Sequence, residues 1–290
     1  MIMHQEDTWT PPQPQPQQAY RGWRWLRTLI IGVVLFIVAS IILLWSGDPN
    51  LFPTVILIGN FLVPVVFVAF LYDHQHISSL SIDTIAASFG IGGVLGVLGA
   101  TVIESLVVPA PANPTRGLSF EGALLVGLIE EGCKILAVIF LARKVPHTSQ
   151  MDGLLLGGAV GMGFAALEST GYAFTALLIS QGHISASLAS TVLRGLLAPF
   201  GHGVWTGILG AVLFRESGPR HFRITGPLIL AYLFVSTLHA LWDGLPVTIY
   251  FTIPPGFPIP LTSLILGVIG LIVLGVLYRG AIMRQKQQVA

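Results

Sequence analysis

The chain is 290 residues long, 53% hydrophobic and only 9% charged, with a formal net charge of +1; an ordinary soluble domain carries roughly 25% charged residues. This composition excludes a soluble enzyme, a nucleic-acid-binding protein and a disordered scaffold, and offers no net charge to attract an acidic partner. The single cysteine, Cys133, excludes a disulfide framework and a CxxC metal site.

Residues 1–20 are polar and proline-rich, with QPQPQQ at 13–18, and read as a disordered cytoplasmic tail. The apolar run behind them is too long for a signal peptide. A helix needs about 20 apolar residues to cross about 30 Å of hydrocarbon. That ruler predicts an all-α polytopic bundle of about eight spans, near 23–46, 51–72, 82–108, 120–142, 152–180, 187–214, 224–250 and 258–278. Strands are not expected, since the runs lack alternation and are too long for barrel strands. The expected organisation is one transmembrane domain over 21–280, with its motif core at 118–245, and a short cytoplasmic tail at 281–290.

Lysines and arginines orient the bundle. Arg21, Arg24, Arg27, Arg143, Lys144, Arg215, Arg220, Arg223, Arg279, Arg284 and Lys286 fall on one side, and Arg116 alone on the other. The expectation is a cell-membrane protein with both termini in the cytoplasm. Trp23, Trp25, Trp45, Tyr72, Tyr250 and Tyr278 sit near span ends, as an aromatic belt requires. Gly92 with Gly96, Gly157 with Gly161, and Gly203 with Gly207 form small ridges that let helix backbones approach closely. Pro109, Pro111 and Pro114 read as a stiff extracellular loop.

The informative residues are the charges inside the spans: Glu104, Glu130, Glu131, Lys134, Glu168, Arg194 and Asp243, joined by His202 and His239. Each charge at mid-bilayer costs about 2.5–3.5 kcal/mol on insertion scales, so the set must face itself or a wet cavity. At 1.5 Å rise per residue the glutamate pair and both histidines reach the middle zone and can converge. Glu130 and Glu131 point about 100° apart, and Lys134, four and three residues on, can reach either. A carboxylate balanced between burial and a neighbouring cation can serve as a base near neutral pH; the alternative is a structural ion pair plugging a helix interface. His239 and Asp243, four apart, share a face. His202 follows the helix-perturbing Pro199. Glu168 shares a face with Tyr172, and Arg194 is expected to neutralise a carboxylate. Cys133 reads as an inert packed thiol, and Glu104 stands outside any motif.

These residues fall into four blocks in order: Glu130-Glu131-Gly132-Cys133-Lys134 as EExxK, Phe164 to Glu168 as FxxxE, then Arg194, Pro199 and His202, then His239 to Asp243 as HxxxD. On them the chain resembles the PrsW family of intramembrane proteases, relatives of the CAAX prenyl endopeptidases. Ser169 departs from the pattern, where the family commonly has Asn. The resemblance implies hydrolysis of a peptide bond in a membrane-anchored protein, such as an anti-sigma factor. It implies Glu130 as general base, Glu131 as its partner paired with Lys134, Glu168 and His202 positioning water, and His239 and Asp243 completing the oxyanion and proton-transfer side. Tyr172 and Arg194 would support them. The cofactor is either none or a single Zn2+, which His202, His239 and Glu131 could hold with one position open; the missing HExxH tips the reading towards metal-free glutamate chemistry. Two readings from other classes stay open: a proton-coupled transporter or channel using the buried carboxylates, and a catalytically silent membrane chaperone.

Overall fold

In the computed structural model, residues 23–74, 78, 80–109, 118–143, 149–245, 249–253 and 257–289 are described. The expected tail at 1–20, and the loop residues Arg116, Pro111 and Pro114, lie outside them. The helices are α1 (Arg24–Ser46), α2 (Phe52–His74), α3 (Ile82–Ala87), α4 (Gly93–Val107), α5 (Phe120–Ala142), α6 (Gln150–Ile179), α7 (Ile184–Leu197), α8 (His202–Glu216), α9 (Gly226–Gly244) and α10 (Leu261–Val289). Seven helical stretches among the described residues are long and apolar enough to cross a membrane: Arg24–Ser46, Pro49–Asp73, Ile82–Val107, Gln150–Ile179, Ile184–Glu216, Gly226–Gly244 and Leu261–Arg284. Helix α5 matches α1 in length, 23 residues each, but carries Glu130, Glu131 and Lys134 at its middle. The chain is a polytopic helical membrane protein.

Chain chemistry sets the helix ends. Ser119 accepts a hydrogen bond from the Gly122 N–H and starts α5, and Ser149 does the same for α6 through Asp152 N–H. The long stretch Ile184–Glu216 breaks at Ala198–Phe200, a 3-10 turn holding Pro199, which lacks the N–H that a continuous helix needs. The break starts α8 at His202.

Two expectations are corrected. The span placed at 224–250 ends as a helix at Gly244, and the absence of strands does not hold. Leu245 is extended, φ −78 and ψ 133, because the residue before a proline, here Pro246, is disfavoured in the α region. The chain then forms a hairpin, β1 (Tyr250–Ile253) antiparallel to β2 (Phe257–Pro260), before α10.

Helices α6 and α8 pack backbone against backbone. A methyl added at Gly153 would lie 2.2 Å from the Gly210 carbonyl oxygen, at Gly157 2.2 Å from that of Thr206, and at Gly161 2.3 Å from that of His202. The glycines let α8 lie close along α6, and bring His202 against the helix that carries Glu168. Trp205, Ile208 and Leu209 of α8 are buried in a cluster with Val235 and Leu238 of α9, which brings His239 to the same level.

Candidate active site

Five helices, α5 to α9, supply one polar cluster. From α5 come Glu130, Glu131 and Lys134, which are 6%, 0% and 0% exposed. Lysine has three N–H donors, and Lys134 Nζ lies 2.9 Å from Glu130 Oε2, 2.8 Å from Glu131 Oε1 and 2.7 Å from His202 Nδ1. Its ammonium also sits 3.8 Å from the centre of the Phe164 ring. Every donor has an acceptor, which is the condition under which a buried ion pair repays its desolvation.

The neighbouring glutamates are used differently. Both Glu131 oxygens are bonded: Oε1 to Lys134 and to His239 Nδ1 at 3.2 Å, Oε2 to the Thr206 hydroxyl at 3.3 Å. Glu130 is held through Oε2, which faces Lys134, His239 Nε2 at 3.5 Å and His202 Nδ1 at 3.9 Å; none of the described residues bonds its Oε1. The roughly 100° between adjacent helical residues turns one carboxylate into the helix interface and the other towards the histidines.

Because Lys134 donates to His202 Nδ1, the imidazole carries its proton on Nε2, which donates to Glu168 Oε2 at 3.0 Å. Glu168 Oε2 also accepts from Arg194 Nη2 at 2.5 Å, and Arg194 Nε donates to Ser169 Oγ at 2.9 Å. Ser169 thus takes a hydrogen bond at the position where the family commonly has Asn. The Arg194 guanidinium lies 4.0 Å from the centre of the Tyr172 ring. His239 Nε2 lies 3.3 Å from Asp243 Oδ2. A cavity of about 60 Å³ reaches this cluster, lined among others by Ser169, Arg194, His202, Trp205 and Trp242.

The structure therefore brings together Glu130, Glu131, Lys134, Glu168, Arg194, Tyr172, His202, His239 and Asp243. Glu104, on α4, lies within electrostatic range of Lys134, Glu168, His239 and Asp243, but one of its oxygens is buried with no hydrogen-bond partner among the described residues. Cys133 is buried and free. Sequence reasoning missed Thr206, Trp205 and Trp242. Thr206 had a signal: it lies four residues after His202, hence on the same face. The two tryptophans, with ring centres 5.6 Å apart, had none, because aromatic residues in apolar helices are ordinary.

The donor set can be tested against a divalent cation. Glu130, His202 and His239 each offer an atom, all within 4.8 Å of one another. Two imidazoles and a carboxylate suit zinc in kind and spacing and leave a position open, but Lys134 Nζ already bonds Glu130 Oε2 and His202 Nδ1, so a cation there requires the ammonium to withdraw from both atoms. Glu130, not Glu131, is the carboxylate placed with the histidines, and Glu131 sits behind His239, where an outer carboxylate orients a ligating imidazole.

Buried carboxylates, two histidines and a small cavity thus meet inside a bundle of membrane-length helices. The family model described as "PrsW family intramembrane metalloprotease" matches residues 81–276, and the chain belongs to that family. The match extends past the 118–245 core on both sides. The chain is similar to "Protease PrsW" of Halalkalibacterium halodurans, 25% identical over 184 residues that cover 62% of this chain and 78% of that protein. No solved structure matches. The protein is a multi-pass membrane peptide hydrolase whose substrate is a membrane-embedded protein.

Proposed function

We propose that the chain cleaves a single-span, membrane-anchored protein, with an anti-sigma factor as the substrate class, using water activated at Glu130, and that both its termini face the cytoplasm as the lysine and arginine distribution implies. The observation that carries the mechanism is the contrast between the adjacent glutamates. Glu131 has both oxygens bonded, while Glu130 is anchored through Oε2 and keeps Oε1 for a water proton.

Glu130 Oε1 accepts the proton as the water oxygen attacks the scissile carbonyl carbon. The proton then passes to the leaving nitrogen, the C–N bond breaks, and a carboxyl and an amine result. His239, its Nδ1–H donated to Glu131 and its Nε2 beside Asp243, donates to the developing oxyanion from Nε2 as an imidazolium held between the two carboxylates. Preorganised donors in a water-poor site are worth more than in water. His202 is fixed between Lys134 and Glu168 and positions the water. If a Zn2+ is resident, Glu130, His202 and His239 would hold it, and it would supply a Lewis acid at the scissile carbonyl.

The test is cleavage of a purified single-span substrate in detergent or liposomes. Glu130→Gln is expected to lose cleavage while the protein keeps its folded elution and melting profile. Cleavage by Glu130→Gln at the wild-type rate refutes the assignment.

A further inference from the structure

The hairpin between α9 and α10 has one open edge and one closed edge, and its register shows which is which. In an antiparallel pair, residues alternate between positions whose N–H and C=O face the partner strand and positions where both face away. The Leu261 N–H donates to the Ile249 carbonyl at 3.0 Å, so that pair is of the inward kind. Counting along the register, Phe251 with Ile259 and Ile253 with Phe257 also face inward, and Tyr250 with Pro260 and Thr252 with Pro258 face outward. The outward positions of β2 are therefore both prolines, which have no N–H. A strand cannot add to that edge in full, and prolines are a known device for blunting one. The outward positions of β1, Tyr250 and Thr252, present two N–H and two C=O groups. Among the described residues nothing bonds to them.

The position is close to the reaction centre. Helix α9 ends at Gly244, five residues past His239, a rise of about 7.5 Å, and the hairpin follows. Strand β2 packs on α7, the helix of Arg194, and leads directly into α10, with Ile259 buried. The hairpin is thus fixed at the same end of the bundle as the α9 residue Trp242, which lines the cavity.

A substrate that arrives as a transmembrane helix presents carbonyls already hydrogen-bonded and shielded by side chains. It must unwind locally to expose a scissile bond, and unpaired backbone groups are costly in the bilayer. Resting on the protease reading above, we propose that β1 is the docking edge for the substrate: the unwound segment of a membrane protein adds to it as a third strand, pairing with the backbone of Tyr250 and Thr252. Strand addition of this kind takes affinity from main-chain bonds.

The experiment uses the full chain with a single-span substrate. Thr252→Pro removes an outward N–H and crowds the open edge without touching an inward bond; Thr252→Ala leaves the backbone edge intact. The proline variant is expected to lose about tenfold in kcat/KM, chiefly through KM, and the alanine variant to stay within about twofold. In a second arm the protein is left wild type, and synthetic substrates are N-methylated one residue at a time around the cleavage site. Alternate positions are expected to lose about tenfold and the intervening ones to be cut normally, since only every second residue of an added strand faces the docking edge. Wild-type kinetics for Thr252→Pro, or N-methyl losses without alternation, overturn the proposal. If Thr252→Pro fails to fold, the N-methyl series decides alone. If wild type and Glu130→Gln are equally unable to cut, it is the protease mechanism that fails, and the docking edge falls with it.

Discussion

Glu131→Gln and Glu130→Gln alter adjacent residues by the same isosteric change, yet the geometry predicts different outcomes. Glu131 is fully buried and bonded to Lys134, His239 and Thr206. Its amide analogue keeps the shape but removes a buried charge from Lys134 and an acceptor from His239. Removing one partner of a buried pair costs about 3–5 kcal/mol; the low end applies here, because Lys134 keeps Glu130 and His202. Glu131→Gln is therefore expected to destabilise the protein by about 3 kcal/mol. Because Glu131 orients His239, turnover of the folded fraction should fall by about 10–100-fold, the usual effect of losing an outer carboxylate. Glu130→Gln keeps the Lys134 contact through its amide oxygen and should cost less stability. It removes the base, and turnover should fall by about 10²–10⁴-fold. The assay pairs denaturant-titrated unfolding in detergent with cleavage kinetics normalised to folded protein. A Glu131→Gln protein as stable as wild type but wholly inactive, or a Glu130→Gln protein within a few-fold of wild type, refutes the division of roles.

Three more outcomes follow from the same geometry. Lys134→Met strips the ammonium from two buried carboxylates and a histidine and should destabilise the protein by about 3–5 kcal/mol, read in the same unfolding titration. Zinc binding, measured by calorimetry and elemental analysis, should be lost in Glu130→Ala and His239→Ala and retained in Glu131→Gln, because the donor set is Glu130, His202 and His239; loss in Glu131→Gln equal to that in Glu130→Ala contradicts that set. Gly161→Val places a side chain where even a Cβ would lie 2.3 Å from the His202 carbonyl oxygen. It should push α8 off α6, cost at least about 1–3 kcal/mol and abolish cleavage, whereas Gly171→Ala, with open space at its Cβ, should be neutral in both assays.

Much of the site was legible in the chain because the bilayer penalises charge. In so apolar a sequence, each residue that violates the rule is conspicuous, and Glu130, Glu131, Lys134, Glu168, Arg194, His202, His239 and Asp243 were all readable as violations. The helical period added that Lys134 reaches both glutamates and that His239 faces Asp243, and the structure has both pairs. Glu104 violated the rule equally and sits within electrostatic range of the cluster, yet no hydrogen bond or ion pair joins its side chain to it among the described residues, so the signal marks polar residues in lipid-length helices without saying which of them bond.

Length and apolarity by themselves determined a polytopic helical membrane protein, because each segment that crosses a bilayer must satisfy its own backbone, and only a helix does so within one segment. Tertiary packing decided everything that depends on two segments at once. It chose which glutamate is consumed in the interface and which faces the histidines, since that follows from the rotation of α5 against α8 and α9. It set Glu130 facing both histidines and Glu131 bonded to His239 alone of the two. It set a proline-blunted hairpin at the end of α9, where apolarity alone reads as more helix. Hydropathy records only how a residue partitions between water and lipid, whereas the partner of each polar atom is fixed by how closely the glycine-lined helices α6 and α8 approach.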